Sequence, residues 1–134
     1  MIQKVHDHIV DEIRINTKTD TIFVLTAIFL NIVTLGTNAA IAAGGVEKKG
    51  ILIILIFVAL ILVINFVAEL GLMRGRDTRG KLTAGLMRMY KDHSVDTYYD
   101  STLLNAYRTR YNLFMLVVLF TGVVAIIVPF LMLM

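Results

Sequence analysis

The hydrophobic residues of this sequence fall in three long runs separated by polar segments. Residues 21–43 and 111–134 contain no charged side chain, and residues 51–73 contain only Glu69. A transmembrane helix needs roughly 20 mostly apolar residues, and a run such as ILIILIFVALILVI lacks the alternation of a β-barrel strand. The pattern therefore predicts an all-α membrane protein in which these three runs are transmembrane helices, called spans one, two and three, within a single domain over residues 1–134.

The segment before span one carries a weaker helical pattern. Ile2, Val5, Ile9 and Ile13 recur at helical spacing, with charged residues on the opposite side. This periodicity predicts a short N-terminal amphipathic helix over about residues 2–15. Its acidic residues make it a poor match for a helix that lies on a membrane surface, because such helices usually have a basic polar face.

The segment 74–110 between spans two and three, called the basic segment, is also expected to be helical. Gly75 and Gly80 indicate a flexible exit from span two, and apolar residues at helical spacing predict a helix over about 82–93. Asp100 or Ser101 is suited to cap the next helix, which continues without a break into span three. The sequence thus predicts a helical segment outside the membrane between spans two and three.

The distribution of lysine and arginine predicts the orientation of the spans. Of the 13 Lys and Arg residues, only Lys48 and Lys49 lie in the loop between spans one and two. Short cytoplasmic loops carry an excess of these residues, so we expect a cytoplasmic N-terminus and basic segment, and a C-terminus on the opposite side. We expect a multi-pass protein of the plasma (inner) membrane. Span one should be retained, because its apolar run exceeds the roughly 7–15 residues of a cleaved signal core.

Span one carries two neighbouring stripes of unusual residues. At about 3.6 residues per turn, Asn31, Thr34 and Asn38 share one side of the helix and form the polar stripe. The small-residue stripe on an adjoining side consists of Gly36, Ala40 and Gly44. Small residues let helices pack closely in lipid, and asparagine can hydrogen-bond between helices. Span one is therefore predicted to have two contact faces, one of them free for span three or for another subunit.

Polar residues of all three spans lie at a similar depth. Asn31, Asn65 and Thr121 are each roughly 12–16 Å from the cytoplasmic ends of their spans, near the middle of a ~30 Å hydrocarbon core. These three residues are predicted to form either a hydrogen-bonded cluster that fixes the packing of the helices or the lining of a water or ion path. Glu69 lies one turn from Asn65. It is predicted to pair with an arginine (Arg74, Arg108 or Arg110), to form a ring at a pore mouth or a protonatable site, or simply to be solvated at the interface.

The basic segment is the candidate site for anions. Its cationic residues either fix the topology as solvated charges, or bind lipid headgroups or a soluble anionic ligand. The set consists of Arg74, Arg76, Arg79, Lys81, Arg88, Arg108 and Arg110. The five tyrosines of the chain all lie between residues 90 and 111, where they suit packing or ligand contact. Interleaved aspartates dilute the positive charge, so nucleic acid is not expected as a partner.

Several kinds of chemistry are not expected. The chain has no cysteine, which excludes disulfides and thiolate metal sites. His8 shares a helix face with Asp11 and Glu12, but such a group is more often polar surface, and no metal or cofactor is predicted. No phosphate-binding glycine loop or catalytic motif is present, so the chain is not expected to be an enzyme.

Two functions fit these observations, and both involve membrane lipids as partners. The leading hypothesis is a homo-oligomer with an ion or water pore, lined by the polar stripe or by Asn65 and Glu69, in which the basic segment acts as a gate or as a sensor of an anionic ligand. The alternative is a non-conducting accessory or scaffold subunit of a larger membrane complex. An anchor that recruits a soluble protein is a third hypothesis. A polar stripe that faces a central cavity favours the pore, and one enclosed by neighbouring side chains favours the scaffold.

Overall fold

Three long α-helices make up most of this protein. The computed structural model describes residues 1–45, 47–98 and 103–134. Within these ranges α1 comprises Ile2–Ala43, α2 comprises Lys48–Asp92 and α3 comprises Leu103–Leu133, and a short 3₁₀ helix, Asp96–Tyr98, follows α2. All three α-helices are long and apolar enough to cross a membrane. The described part of the chain therefore has the three transmembrane helices predicted from the hydrophobic runs, and it contains no strand.

The helix predicted over about residues 2–15 is not a separate element. It forms the first part of α1, which is continuous over 42 residues. No proline or glycine precedes Gly36 in the sequence. The hydroxyl groups of Thr17 and Thr21 donate to carbonyl oxygens four residues earlier, so these polar side chains find hydrogen-bond partners within the helix. As a result α1 extends well beyond the membrane-spanning run.

The helix predicted over about 82–93 is likewise part of a longer one. α2 runs through Gly75 and Gly80 without a break and is 45 residues long. Gly75 does not act as a flexible exit, because it is buried against α1 and a Cβ here would overlap the carboxylate of Asp20. Its lack of a side chain lets the two backbones approach closely.

Turns mark the helix ends. Gly45 follows α1 with a φ of +82°, a left-handed conformation that glycine adopts without strain. Ser94 follows α2 with a φ of 59°, close to the end predicted near His93. The cap predicted at Asp100 or Ser101 lies outside the described residues.

The helices run up, down and up again, and each packs against the other two. One cluster of buried residues lies toward the end that contains the N-terminus and consists of Val24, Ala27, Ala68, Leu72, Tyr111 and Val118. A second cluster lies toward the opposite end and contains Ala42, Ile54 and Val58. The first end also carries residues 74–98 and is called the basic end.

Most outward side chains of the central part of the bundle are apolar. Phe29, Phe66 and Phe120, one on each helix, are 65%, 66% and 66% exposed. Water opposes such exposure of large apolar surfaces, and extended exposed apolar patches mark protein or membrane contact. Three apolar helices with an apolar exterior are what a multi-pass membrane protein requires.

Candidate functional site

The polar stripe faces the interior of the bundle. Asn31, Thr34 and Asn38 are 1%, 5% and 0% exposed. A buried amide costs free energy unless it is hydrogen-bonded, and lipid offers no partner. The partners of these side chains therefore have to come from the protein interior.

Asn31 joins all three helices through its side-chain amide. Its Nδ2 donates to Oδ1 of Asn65 on α2 at 3.0 Å and to Oγ1 of Thr121 on α3 at 3.0 Å. In return, Nδ2 of Asn65 donates to Oδ1 of Asn31 at 2.8 Å and also contacts the carbonyl oxygen of Ile61 at 2.8 Å. The three residues that the sequence assigns to one depth thus form a single network, the asparagine cluster (Asn31, Asn65 and Thr121).

Little open space adjoins the asparagine cluster. A groove between α1 and α3, beside Asn31 and Thr121, has a volume of about 90 Å³. The groove opens between the apolar side chains of Ile32, Leu35, Phe120 and Val124, and Asn31 itself is only 1% exposed. The polar layer is therefore filled mainly by the side chains that compose it.

Gly122 permits this close contact from α3. A Cβ at this position would lie 2.7 Å from Oδ1 and 2.9 Å from Cγ of Asn65. Real side chains almost never approach so closely, so any larger residue would displace the Asn65 amide from Asn31. Gly122 was not predicted as a packing residue, and its position directly after Thr121 is the only signal in the sequence.

The small-residue stripe lies on the outside of the bundle. Gly36, Ala40 and Gly44 are exposed, and a Cβ at Gly36 would meet nothing within 4 Å. Among the described residues, the close helix contacts are made at Gly71, Gly75 and Gly122 instead. The small-residue stripe therefore does not pack against α2 or α3, and its role in helix packing stays a prediction for contact with another molecule.

Asn38 is buried without a hydrogen-bond partner. Its Nδ2 and Oδ1 contact no donor or acceptor among the described residues, although its side chain is fully enclosed. Asn38 lies almost two turns beyond Asn31 on α1, and the asparagine cluster does not include it. This amide therefore adds an uncompensated desolvation cost to the folded bundle.

Replacing Asn38 with leucine is expected to stabilise the bundle. Leucine has the same branching and number of side-chain heavy atoms, and it removes two buried polar groups that lack partners among the described residues. This gain should exceed the cost of its larger volume, so the free energy of unfolding should rise by about 1 kcal/mol. Circular dichroism during thermal unfolding in detergent micelles measures the change. A lower unfolding midpoint for Asn38→Leu would show that the amide makes a stabilising interaction and would contradict this expectation.

Glu69 lies near the basic end of span two and is half-buried. Its Oε1 atom is buried and has no hydrogen-bond partner among the described residues. Arg74, Arg108 and Arg110, the partners considered from the sequence, form no ion pair with it in the described part of the chain. The structure thus places Glu69 beside the asparagine cluster on α2 but outside its hydrogen bonds.

A second polar junction joins the helices at the basic end. The hydroxyl of Tyr111 on α3 donates to the carboxylate of Asp20 on α1 and also lies 2.9 Å from Oδ1 of Asn16. Asp20 and Tyr111 are only 4% and 5% exposed. Asn16 in turn donates to the carbonyl oxygen of Gly75 on α2 at 3.3 Å. This junction fixes the three helices at the point where each leaves its apolar run.

Arg79 is held in place from two sides. Its guanidinium donates to Oγ1 of Thr17 and approaches the carbonyl oxygen of Ile13 at 3.5 Å. It also stacks over the ring of Tyr107 on α3, with 4.3 Å between Cζ and the ring centroid. Such cation–π contacts stabilise a guanidinium without neutralising its charge. Arg79 therefore offers a fixed positive charge between α1, α2 and α3.

A cavity of about 590 Å³, called the basic cavity, opens beside Arg79 between α2 and α3. Its wall combines four cationic side chains with hydroxyl and amide groups. The lining residues relevant to binding are Arg76, Arg79, Lys81, Thr83, Asn105, Tyr107 and Arg108. In the described part of the chain Asp77 is the one acidic residue that lines it, so the cavity is strongly electropositive and suited to an anion.

The structure brings together four of the seven cationic residues predicted to bind anions. Arg76, Arg79, Lys81 and Arg108 line the basic cavity. Arg74 lies instead by a smaller groove between α1 and α2. Arg88 and Arg110 are exposed and do not line the cavity, although Arg110 approaches the Tyr107 ring from 6.0 Å.

Sequence reasoning missed Asp20 and Thr83 as members of these sites. The signal for Asp20 is an acidic residue directly before an uncharged run, which has to be compensated when the helix is packed. Thr83 has no local signal, because its place in the cavity depends on how α2 and α3 pack.

The chain matches no protein-family model, no curated protein and no solved structure.

Proposed function

We propose that this chain is a non-conducting scaffold or accessory subunit of a membrane assembly, and that its basic end provides the binding surface. The single observation that supports this proposal most strongly is the asparagine cluster. Its polar groups, near mid-membrane depth, bond to one another across all three helices. The proposal assigns no catalysis to the chain.

The pore hypothesis needs the polar stripe to face water. Asn31 and Asn38 are at most 1% exposed, and the amide of Asn31 already bonds to two neighbouring helices. Conduction along this stripe would require these helices to separate and exchange their mutual hydrogen bonds for water. The scaffold, in which the same groups serve packing, needs no such rearrangement.

The proposed orientation places the basic end in the cytoplasm of a cell with a plasma (inner) membrane. It follows the excess of lysine and arginine in residues 1–20 and 74–110. The N-terminus would then be cytoplasmic and the C-terminus on the opposite side. Self-assembly also stays a prediction, and the exposed small-residue stripe is the surface through which a second copy would pack in lipid.

Ion flux through liposomes tests the proposal. Purified protein reconstituted in vesicles loaded with a fluorescent ion indicator should give no more leakage than empty vesicles, because the polar layer is closed. An added pore-forming peptide serves as the positive control for sealed vesicles. Leakage that depends on the protein and disappears in Asn31→Leu would contradict the scaffold and support a pore along the polar stripe.

A further inference from the structure

We propose that the basic cavity binds a terminal phosphate group, presented either by a lipid headgroup or by a soluble phosphate ester. This inference goes beyond the scaffold role and does not depend on it, because the cavity lies at the basic end, away from the asparagine cluster. The charges and hydrogen-bond donors of the lining residues, taken together, suit a phosphate group.

Charge is the first reason. Arg76, Arg79, Lys81 and Arg108 approach the cavity from α2 and α3. Among the described residues, Asp77 is the only carboxylate in the lining; it lies 3.9 Å from Nε of Arg76, and its side chain is 69% exposed. A site with this excess of positive charge favours a ligand with more than one negative charge.

Donors without partners are the second reason. Nε of Arg76, Nε of Arg79 and Oγ1 of Thr83 are buried and have no hydrogen-bond partner among the described residues. All three residues line the basic cavity, and Thr83 is only 8% exposed. Buried donors are costly when they are unsatisfied, and a ligand with several acceptor oxygens would satisfy them at once.

Preorganisation is the third reason. Arg79 is held by Tyr107 and Thr17, and Nη1 of Arg76 donates to Oδ1 of Asn112 at 2.9 Å. Two guanidinium groups whose positions are fixed lose little conformational freedom when they bind. Guanidinium matches phosphate geometry through paired N–H groups, and the tetrahedral oxygens of a phosphate point in more directions than the two coplanar oxygens of a carboxylate, which suits donors on three different residues.

The position of the cavity allows both sources of phosphate. Tyr111 lines the cavity and stands at the start of span three, a position that tyrosine favours at the level of lipid headgroups. A lipid with a terminal phosphate can reach the cavity from the membrane side, and a soluble phosphate ester from the aqueous side. The volume of about 590 Å³ exceeds that of a single phosphate ion, so it leaves room for the group that carries it.

Binding in nanodiscs tests the proposal with two probes. The full chain in zwitterionic nanodiscs is titrated with inorganic pyrophosphate by isothermal titration calorimetry. In parallel, nanodiscs that also contain phosphatidic acid are analysed by native mass spectrometry for retained lipid. Binding of pyrophosphate alone identifies a soluble source, retention of phosphatidic acid alone identifies a lipid source, and either result or both support a phosphate site.

Matched variants separate a built site from general attraction. Arg76→Gln should weaken binding about tenfold, and Thr83→Val, which keeps the shape and charge, should weaken it about fivefold. Arg88→Gln makes the same change of charge on the same helix at an exposed position outside the cavity, and should change binding less than about twofold. Far-ultraviolet circular dichroism confirms that each variant is folded.

Two results would overturn the phosphate site. One is that neither probe binds to the folded wild-type chain. The other is that Arg88→Gln weakens binding as much as Arg76→Gln while Thr83→Val has no effect, which would identify diffuse attraction to a basic surface. Neither result bears on ion flux, so the phosphate site and the scaffold proposal can fail separately.

Discussion

Replacing Asn31 with leucine is expected to destabilise the bundle by about 2 kcal/mol. The substitution keeps the branching and the number of side-chain heavy atoms but removes every hydrogen bond that the Asn31 amide makes with Asn65 and Thr121. The change should appear as a lower midpoint of unfolding in detergent micelles, measured by circular dichroism during titration with sodium dodecyl sulfate.

The expected size follows from measured interhelical hydrogen bonds. In membrane proteins these average about 0.6 kcal/mol and reach about 1.7 kcal/mol. Asn31 shares two such bonds with Asn65 and a third with Thr121, which together account for the estimate. The Asn65 amide packs against Gly122. When Asn31 is lost, the carbonyl oxygen of Ile61 is the hydrogen-bond partner that remains for this amide among the described residues.

Asn38→Leu is the matched control for Asn31→Leu, because it makes the same substitution on the same helix at a fully buried site whose amide has no hydrogen-bond partner among the described residues. The two variants should shift the midpoint in opposite directions. In the double variant Asn31→Leu with Asn65→Leu, the loss should be smaller than the sum of the two single losses, since both remove the same bonds. Equal losses for Asn31→Leu and Asn38→Leu would show that the asparagine cluster has no special role.

Much of the fold could be predicted because hydrophobicity and length determine whether a helix can cross a membrane. The three predicted spans are confirmed as helices that are long and apolar enough to cross a membrane. Counting residues from the span ends was also enough to assign Asn31, Asn65 and Thr121 to one layer, since a helix rises by a constant amount per residue. Depth along a helix can be read from one sequence, because it depends on that helix alone.

Rotation and approach of the helices could not be read in the same way. Gly36, Gly75 and Gly122 look alike in the sequence, yet a Cβ would meet nothing at the first and would clash at the other two. Which glycine becomes a contact depends on the facing side chain, here Asp20 for Gly75 and Asn65 for Gly122. The four-residue spacing of Gly36, Ala40 and Gly44 identifies the small-residue stripe in the sequence. This spacing does not specify which surface of the helix a neighbouring helix covers.

The basic end was only partly predictable for the same reason. The cationic residues were identified, but the grouping of Arg76 and Arg79 with Arg108 around one cavity requires α2 and α3 to pack side by side. The sequence also suggested that glycines would interrupt α2 after span two, because glycine has a low helix propensity. Packing outweighs this propensity, since Gly75 is buried against α1 in a continuous helix.

Replacing Gly122 with alanine is expected to destabilise the bundle by about 2 kcal/mol. The new Cβ would lie 2.7 Å from Oδ1 and 3.0 Å from Nδ2 of Asn65. Asn65 would have to withdraw from Asn31, or α3 would have to move away from α2, and either change breaks contacts in the asparagine cluster. The midpoint of unfolding in detergent micelles measures the loss.

Gly36→Ala is the matched control for this packing cost. Both variants replace a helical glycine in a membrane-spanning run by alanine, so both receive the same gain in helix propensity, which is about 1 kcal/mol in water. The exposed Gly36 has no neighbour within 4 Å of a new Cβ, so its variant should be as stable as the wild type or more stable. The difference between the two midpoints therefore isolates the contact between Gly122 and Asn65. If Gly122→Ala were as stable as Gly36→Ala, α3 could not approach α2 as closely as the asparagine cluster requires.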